Sequence, residues 1–129
     1  MFVRHLDHLN LYVADLEATI AWYQRVFGFV VVESGFSRAP FAILRAGDAM
    51  LCLYQGEEHR GPGGGFNHFA LRIADREVWI RTMAEQNIQV SYGTGEITYP
   101  FSSSWYVDDP SGYQIEVVAW KEDRIQFPA

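Results

Sequence analysis

Two histidines and one glutamate stand out in this sequence by their types and their positions. His8 and His68 are 60 residues apart, and each comes just before an alternating apolar segment. Glu116 lies in the apolar run 114–120, where a buried carboxylate is costly unless it is paired or bound to a cation. Two imidazoles and one carboxylate form a facial ligand set that holds a divalent metal and leaves coordination positions open. These three residues therefore predict a metal site.

An internal repeat supports this grouping. A shift of 60 residues places 7–15 on 67–75, and the matching continues into the residues that follow. Four of the nine pairs are identical: His8/His68, Leu11/Leu71, Ala14/Ala74 and Asp15/Asp75. If the two halves are related by a pseudo-twofold axis, equivalent positions face each other, so we expect the two histidines to share one site. Aligning the last strands of the halves places Cys52 opposite Glu116.

Each half of the repeat has the pattern of a strand, a helix and three further strands. Alternation at 9–13 and 69–73 predicts the first strands. Asp15 and Asp75 follow as N-caps of helices, and Gly28 ends the first helix in the manner of a C-cap. The remaining predicted strands are 29–33, 41–45 and 50–54 in the first half and 88–92, 103–107 and 113–118 in the second. This order predicts an α+β protein.

Length and composition fit a single domain over 1–129, with modules of about 5–55 and 66–120 joined by a Gly-rich connector. The hydrophobic content of 49% is enough for a core without disulfides. A formal net charge of −6 provides no basic surface for nucleic acid or anionic membranes. No apolar run reaches the roughly 20 residues of a membrane span, and the first residues lack the plan of a signal peptide. We therefore expect a cytoplasmic protein.

Each of these residues also has an ordinary interpretation. A strand histidine is often only hydrogen-bonded, Glu116 could face water, and Cys52 is expected to be a buried structural thiol. The repeat favours the metal site, because it duplicates the histidine and places a carboxylate in the matching last strand. His5 lies three residues from His8, so its side chain should point to the opposite face of the strand. His59 lies in the connector, where it could act as an acid or base or be solvated.

Four motifs extend over nearly the whole chain: Asp7-His8-Leu9-Asn10-Leu11-Tyr12-Val13-Ala14-Asp15-Leu16, Trp22-Tyr23-Gln24-Arg25-Val26-Phe27-Gly28-Phe29, Asn67-His68-Phe69-Ala70-Leu71 and Asp109-Pro110-Ser111-Gly112-Tyr113-Gln114-Ile115-Glu116. In these motifs the sequence resembles the vicinal oxygen chelate superfamily, which includes glyoxalase I, extradiol dioxygenases, fosfomycin resistance enzymes and bleomycin-binding proteins. The resemblance implies two βαβββ modules that form a cupped mixed sheet around one divalent metal ion, which would be Fe, Mn, Ni or Zn. It also implies a homodimer, in which modules of different chains can complete each site.

The resemblance also separates the possible reactions. Glyoxalase I has a further glutamate where this chain has Cys52. Without that glutamate the chain lacks both a metal ligand and a group that moves a proton, which argues against glyoxalase I activity. Ser104 and Tyr106 resemble phosphonate-contacting residues of fosfomycin-modifying enzymes, but the lysine and the Ser/Glu/Gly loop of the thiol-transferring enzymes are missing. Tyr106 equally resembles a tyrosine that assists oxygen chemistry in extradiol dioxygenases, with His59 as acid or base.

The sequence as a whole predicts a metal-dependent enzyme that acts on a small oxygen-chelating molecule, either dioxygenase-like or similar to the fosfomycin-resistance lyases and transferases. The alternative is a non-catalytic protein that sequesters an antibiotic or another ligand, as the bleomycin-resistance proteins do. The intact set of His8, His68 and Glu116 argues against that alternative. The expected catalytic residues are Tyr106 and His59, and the expected substrate contacts are Asn10, Ser104 and Trp105.

Overall fold

A computed structural model describes residues 2–56, 65–93 and 95–122. The chain divides into two compact units, within residues 1–61 and 62–129. Within the described residues, each unit has one four-stranded mixed sheet and one α-helix, so the α+β prediction is confirmed. His59, the proposed acid or base, lies outside the described residues. None of the helices in the described part of the chain is long and apolar enough to cross a membrane.

The first unit contains one helix and the first four strands. Its elements are β1 (Leu9–Val13), α1 (Leu16–Phe27), β2 (Val30–Ser37), β3 (Ala39–Ala46) and β4 (Ala49–Gln55). The strand order is β1-β4-β3-β2, with β1 parallel to β4 and the other neighbours antiparallel. On one face of β1 and β4, Leu11, Val13, Leu51 and Leu53 are buried together with the helix residue Tyr23. The residues between them on the strands, such as Asn10 and Tyr12, therefore lie on the opposite face of the sheet.

Both predicted N-caps are confirmed. Asp15 Oδ1 accepts a hydrogen bond from the Ala18 amide at 3.0 Å, and Asp75 Oδ1 accepts from the amides of Glu77 and Val78 at 2.9 and 3.1 Å. These bonds satisfy amides that have no partner within the helix. The predicted C-cap of α1 is also confirmed, because Gly28 has a φ of 74°, a conformation that side chains disfavour.

The second unit repeats this arrangement. Its elements are β5 (Phe69–Arg72), α2 (Arg76–Glu85), β6 (Ile97–Thr98), β7 (Ser102–Asp108) and β8 (Gln114–Trp120). The strand order is β5-β8-β7-β6, with β5 parallel to β8. The turn between β7 and β8 is closed by Asp109, whose Oδ1 accepts from the amides of Ser111 and Tyr113. This turn places Tyr106 of β7 directly opposite Glu116 of β8.

One predicted strand of the second unit is wrong. Residues 88–92 form no strand, and the strand that pairs with β7 on the side away from β8 is the two-residue β6. The segment makes one backbone hydrogen bond to β7, from the Ser91 amide to the Tyr106 carbonyl at 2.8 Å. The chain then turns through Gly93 and Gly95, both with positive φ, before it joins the sheet. An apolar segment followed by two glycines in such conformations cannot continue along a ladder.

Candidate functional site

His68 and Glu116 lie in contact at the centre of the second unit's site. His68 immediately precedes β5, and β5 pairs with β8 so that Ala70 is the partner of Glu116. His68 Nε2 lies 2.9 Å from Glu116 Oε1. The two side chains keep 29% and 19% of their surface exposed, so the contact is shielded from water but open to a small molecule. The structure therefore brings together two of the three predicted metal ligands.

Ser104 of β7 holds the other oxygen of the same carboxylate. Its hydroxyl donates to Glu116 Oε2 over 2.6 Å, and Ser104 itself is fully buried. A hydroxyl that donates to a carboxylate fixes the rotation of the carboxyl group and stabilises its charged form. Ser104 was predicted as a substrate contact, and that role stays a prediction. The contact that the structure shows is with Glu116.

Asn67 and Asp7 orient the two histidines in the same way. His68 Nδ1 lies 2.5 Å from Asn67 Oδ1, and His8 Nδ1 lies 2.8 Å from Asp7 Oδ2. Both oxygens can only accept, so each Nδ1 carries the proton and donates. Each imidazole is thereby held in the form that presents Nε2 as the potential ligand atom. Sequence reasoning missed this role, although the repeat aligns Asp7 with Asn67 and could have indicated it.

The donor set of the second unit fits a divalent metal. With its proton on Nδ1, neutral His68 would point an Nε2 lone pair at an oxygen of Glu116, and two acceptors at 2.9 Å repel each other. A cation near both atoms would make this contact favourable. Metal–ligand bonds of about 2.1 Å place neighbouring ligand atoms about 3 Å apart, close to the separation found here.

His8 belongs to the first unit, where it immediately precedes β1. Its side chain is 43% exposed, and its contact is with Asp7. Within residues 2–56, 65–93 and 95–122, no three or more His, Cys, Asp or Glu side chains form a group that could hold a metal. The part of His8 as the third ligand therefore stays a prediction.

Tyr106 is placed beside both members of the pair. Its ring meets the His68 imidazole edge to face at 5.5 Å between centroids and meets the ring of Tyr92 at 5.2 Å. Burial, together with hydrogen bonds and charge effects involving Tyr99 and Glu116, raises the pKa of the Tyr106 phenol well above its usual range. At neutral pH this phenol is therefore uncharged and can donate a hydrogen bond next to the metal ligands. These five residues, Asn67, His68, Ser104, Tyr106 and Glu116, are called the His68 cluster below.

One family model matches most of the chain. The family model of the Glyoxalase/Bleomycin resistance protein/Dioxygenase superfamily matches residues 5–117. The chain belongs to this superfamily. The matched range includes all five residues of the His68 cluster as well as His8.

Solved structures of this superfamily's fold resemble the chain along nearly its full length. A structure from the mobile metagenome of V. pseudocholerae is 27% identical, covers 95% of this chain and 98% of its own, and has a TM-score of 0.69. FosX, a fosfomycin resistance protein from Listeria monocytogenes complexed with Mn(II), is 20% identical over 93% of this chain and 95% of its own, with a TM-score of 0.75. Lactoylglutathione lyase from Agrobacterium tumefaciens is 24% identical over 92% of this chain and 96% of its own, with a TM-score of 0.71. The likeness to the last two shows the fold.

In this chain, Cys52 occupies the position in the first unit that corresponds to Glu116 in the second. It pairs with Asn10 in the parallel ladder of β1 and β4, as Glu116 pairs with Ala70 in that of β5 and β8. Cys52 is buried, as predicted. Burial raises the pKa of the Cys52 thiol, and the charge of Glu33 acts in the same direction. The first unit therefore presents a neutral thiol where the second unit presents a carboxylate.

The other predicted substrate contacts lie in different surroundings. Asn10 is exposed on β1, on the face that alternates with the buried Leu11. Trp105 is 2% exposed and alternates along β7 with Ser104 and Tyr106, so its side chain lies on the opposite face of the sheet from Glu116. Substrate contacts by Asn10 and Trp105 stay predictions, and the burial of Trp105 gives it a packing role in the second unit.

Proposed function

We propose that this chain is a divalent-metal-dependent enzyme that acts on a small oxygen-chelating substrate, with His8, His68 and Glu116 as the metal ligands. One observation carries the proposal: His68 Nε2 lies 2.9 Å from Glu116 Oε1, and each of the two side chains has a further hydrogen-bond partner. Asn67 fixes the imidazole and Ser104 fixes the carboxylate. Such preorganised ligands with their own hydrogen-bond partners are typical of metal sites.

The residues of the His68 cluster would divide the work as follows. When bound, the metal would act as a Lewis acid toward the oxygen atoms of a chelating substrate. Asn67 and Ser104 keep Nε2 of His68 and the carboxylate of Glu116 in place. The uncharged phenol of Tyr106 donates a hydrogen bond to a substrate oxygen beside them, which stabilises negative charge that develops there. His59 remains a proposed acid or base, and Asn10 remains a proposed substrate contact.

The reaction that we favour is dioxygenase-like or similar to fosfomycin modification. The Cys52 thiol, whose pKa is raised by burial, is a poor substitute for the carboxylate that moves a proton in glyoxalase I. The Mn(II) of the FosX complex supports Mn among the candidates Fe, Mn, Ni and Zn. A homodimer also remains part of the proposal.

Elemental analysis of the protein purified without added metal tests the ligand set. We expect about one metal ion per chain in the wild type and a loss of most of it in His8→Ala and in Glu116→Ala, because a three-ligand site does not survive removal of one ligand. His5→Ala is the matched control, since His5 is exposed and its Nδ1 lies 2.8 Å from the neighbouring Leu6 carbonyl oxygen. A protein that stays metal-free after incubation with Fe, Mn, Ni and Zn would instead support a ligand-sequestering protein of the bleomycin-resistance type.

A further inference from the structure

The first unit contains a cavity that is lined by none of the three proposed metal ligands. Its volume is about 960 Å³, at the upper end of the range of about 300–1,000 Å³ that is typical of small-molecule sites. It lies where β1 and β4 end and the β2–β3 hairpin turns, and all the residues that line it belong to this unit. The side chains that matter here are those of Asn10, Tyr12, Arg38 and Tyr54.

A row of aromatic rings runs across the sheet to this cavity. Tyr12 of β1 pairs with Tyr54 of β4, and Tyr54 pairs with Phe41 of β3, with ring centroids 6.2 and 5.5 Å apart. The row ends at Gly35 of β2, where an added Cβ would lie 3.3 Å from the Phe41 ring. Tyr12 and Tyr54 line the cavity, and Tyr12 keeps 54% of its surface exposed. The cavity wall thus offers aromatic surface to a flat ligand.

Arg38 places a positive charge at the edge of the same cavity. It forms the hairpin tip between β2 and β3 with a φ of 63°, a left-handed conformation that is rare and costly for a residue other than glycine. Among the described residues, its guanidinium has no hydrogen bond or ion pair, in a chain with a net charge of −6. A planar guanidinium binds a carboxylate through two parallel hydrogen bonds.

We propose that this cavity binds a planar aromatic carboxylate, with its ring against Tyr12 and Tyr54 and its carboxylate on Arg38. The rings supply apolar contact and offset or edge-to-face geometry, and the guanidinium sets the orientation. Asn10 lies two residues before Tyr12, on the same face of β1, and can bond a polar substituent of the ring. None of the residues that line the cavity is a proposed metal ligand, but Asn10 is also a proposed substrate contact. The proposal therefore rests on the proposed function in one respect: it names the class of molecule that the substrate site would hold. Binding to the metal-free chain tests it separately from the metal ligands.

Calorimetric titration of the full chain after EDTA treatment tests the ligand class. The probes are benzoate, benzamide (the same ring without the charge) and acetate (the same charge without the ring). We expect benzoate to bind at least about tenfold more tightly than either, since both contacts contribute. Benzamide binding as tightly as benzoate would overturn the role of the carboxylate, and acetate binding as tightly would overturn the role of the rings. Because metal is absent, the result is independent of the metal analysis.

Two pairs of variants place the binding in this cavity. Arg38→Asn removes the guanidinium with a residue that tolerates left-handed φ, and its control is Arg45→Gln, an exposed arginine that donates to the Gly47 carbonyl. Tyr12→Leu removes a cavity ring, and its control is Phe36→Leu, an exposed ring that does not line the cavity. We expect Arg38→Asn and Tyr12→Leu each to weaken benzoate binding by about tenfold, and the controls to leave it unchanged. Equal effects within either pair, or no benzoate binding by the wild type, would overturn the proposal.

Discussion

Ser104 donates its hydroxyl proton to Glu116 Oε2 over 2.6 Å, from a position without exposure to solvent. Ser104 lies on β7 and Glu116 on the neighbouring β8, so the antiparallel register decides that the hydroxyl meets the carboxylate. We expect Ser104→Ala to weaken metal binding by about 10- to 100-fold, because the carboxyl group loses the contact that fixes its orientation. Competition with a chelator of known affinity measures this. Ser102→Ala, another buried serine of β7, is the control and should bind metal normally.

Asn67 should support metal binding through its side-chain oxygen and not through its size. Asn67→Ala removes the acceptor for His68 Nδ1, so we expect metal binding about tenfold weaker. Asn67→Asp keeps an acceptor oxygen at the same place and should retain most of the affinity. The same chelator competition distinguishes these variants. An equal loss of metal affinity in both would show that the hydrogen bond to His68 Nδ1 does not determine metal binding.

Tyr106→Phe removes only the hydroxyl and keeps the ring that contacts His68. We expect the variant to keep its metal content and to have lower turnover. We also expect the metal-loaded variant to bind catechol, a chelating probe, about three- to tenfold more weakly, which is the range for one lost hydrogen bond. Elemental analysis and a catechol titration provide the two measurements. A loss of metal from Tyr106→Phe would instead show that the Tyr106 hydroxyl helps to position the metal ligands.

Cys52 should not be a metal ligand, although it occupies the position in the first unit that corresponds to Glu116. Burial keeps it as a neutral thiol, whereas the species that binds metal is the thiolate. We expect Cys52→Ala to retain the wild-type metal content in elemental analysis. Metal loss in this variant, with its circular dichroism spectrum unchanged, would add Cys52 to the ligand set.

The ion pair between Arg76 and Glu96 should stabilise the second unit in a pH-dependent way. Arg76 Nε donates to Glu96 Oε2 over 3.0 Å, and hydrogen bonds from Arg76 hold the pKa of Glu96 below its ordinary 4.5. A carboxyl group with a lowered folded-state pKa contributes stability above its unfolded-state pKa and loses that contribution as the pH falls through its folded-state pKa. We therefore expect Glu96→Gln to lower the Tm at neutral pH and the difference from wild type to shrink in acid. Thermal melts from pH 7 downward measure this, with Glu85→Gln as an exposed control that should show no such trend.

The contact between His68 and Glu116 joins residues that are 48 positions apart, and the sequence predicted both as ligands. It could do so because the signals are local or repeated: a histidine duplicated in equivalent segments, and a carboxylate in an apolar strand. The caps at Asp15, Asp75 and Gly28 were predictable for the same reason, since capping depends on residues within one turn of the helix. The strand predicted at 88–92 failed because an alternating apolar pattern is not sufficient for a strand: the chain turns at Gly93 and Gly95 before a ladder with β7 forms.

The sequence by itself determined the α+β class, the order of the elements, the superfamily and the residues at which metal chemistry is expected. Only the tertiary structure decided which atoms meet. Strand register placed the Ser104 hydroxyl on the carboxylate of Glu116 and put Trp105 on the opposite face, although all three lie in strands with similar apolar patterns. It also aligned the rings of Tyr12, Tyr54 and Phe41 across three strands and placed Arg38 at the end of the same cavity. Such contacts depend on side-chain geometry between strands that are far apart in the sequence, and residue types and spacing along the chain do not encode that geometry directly.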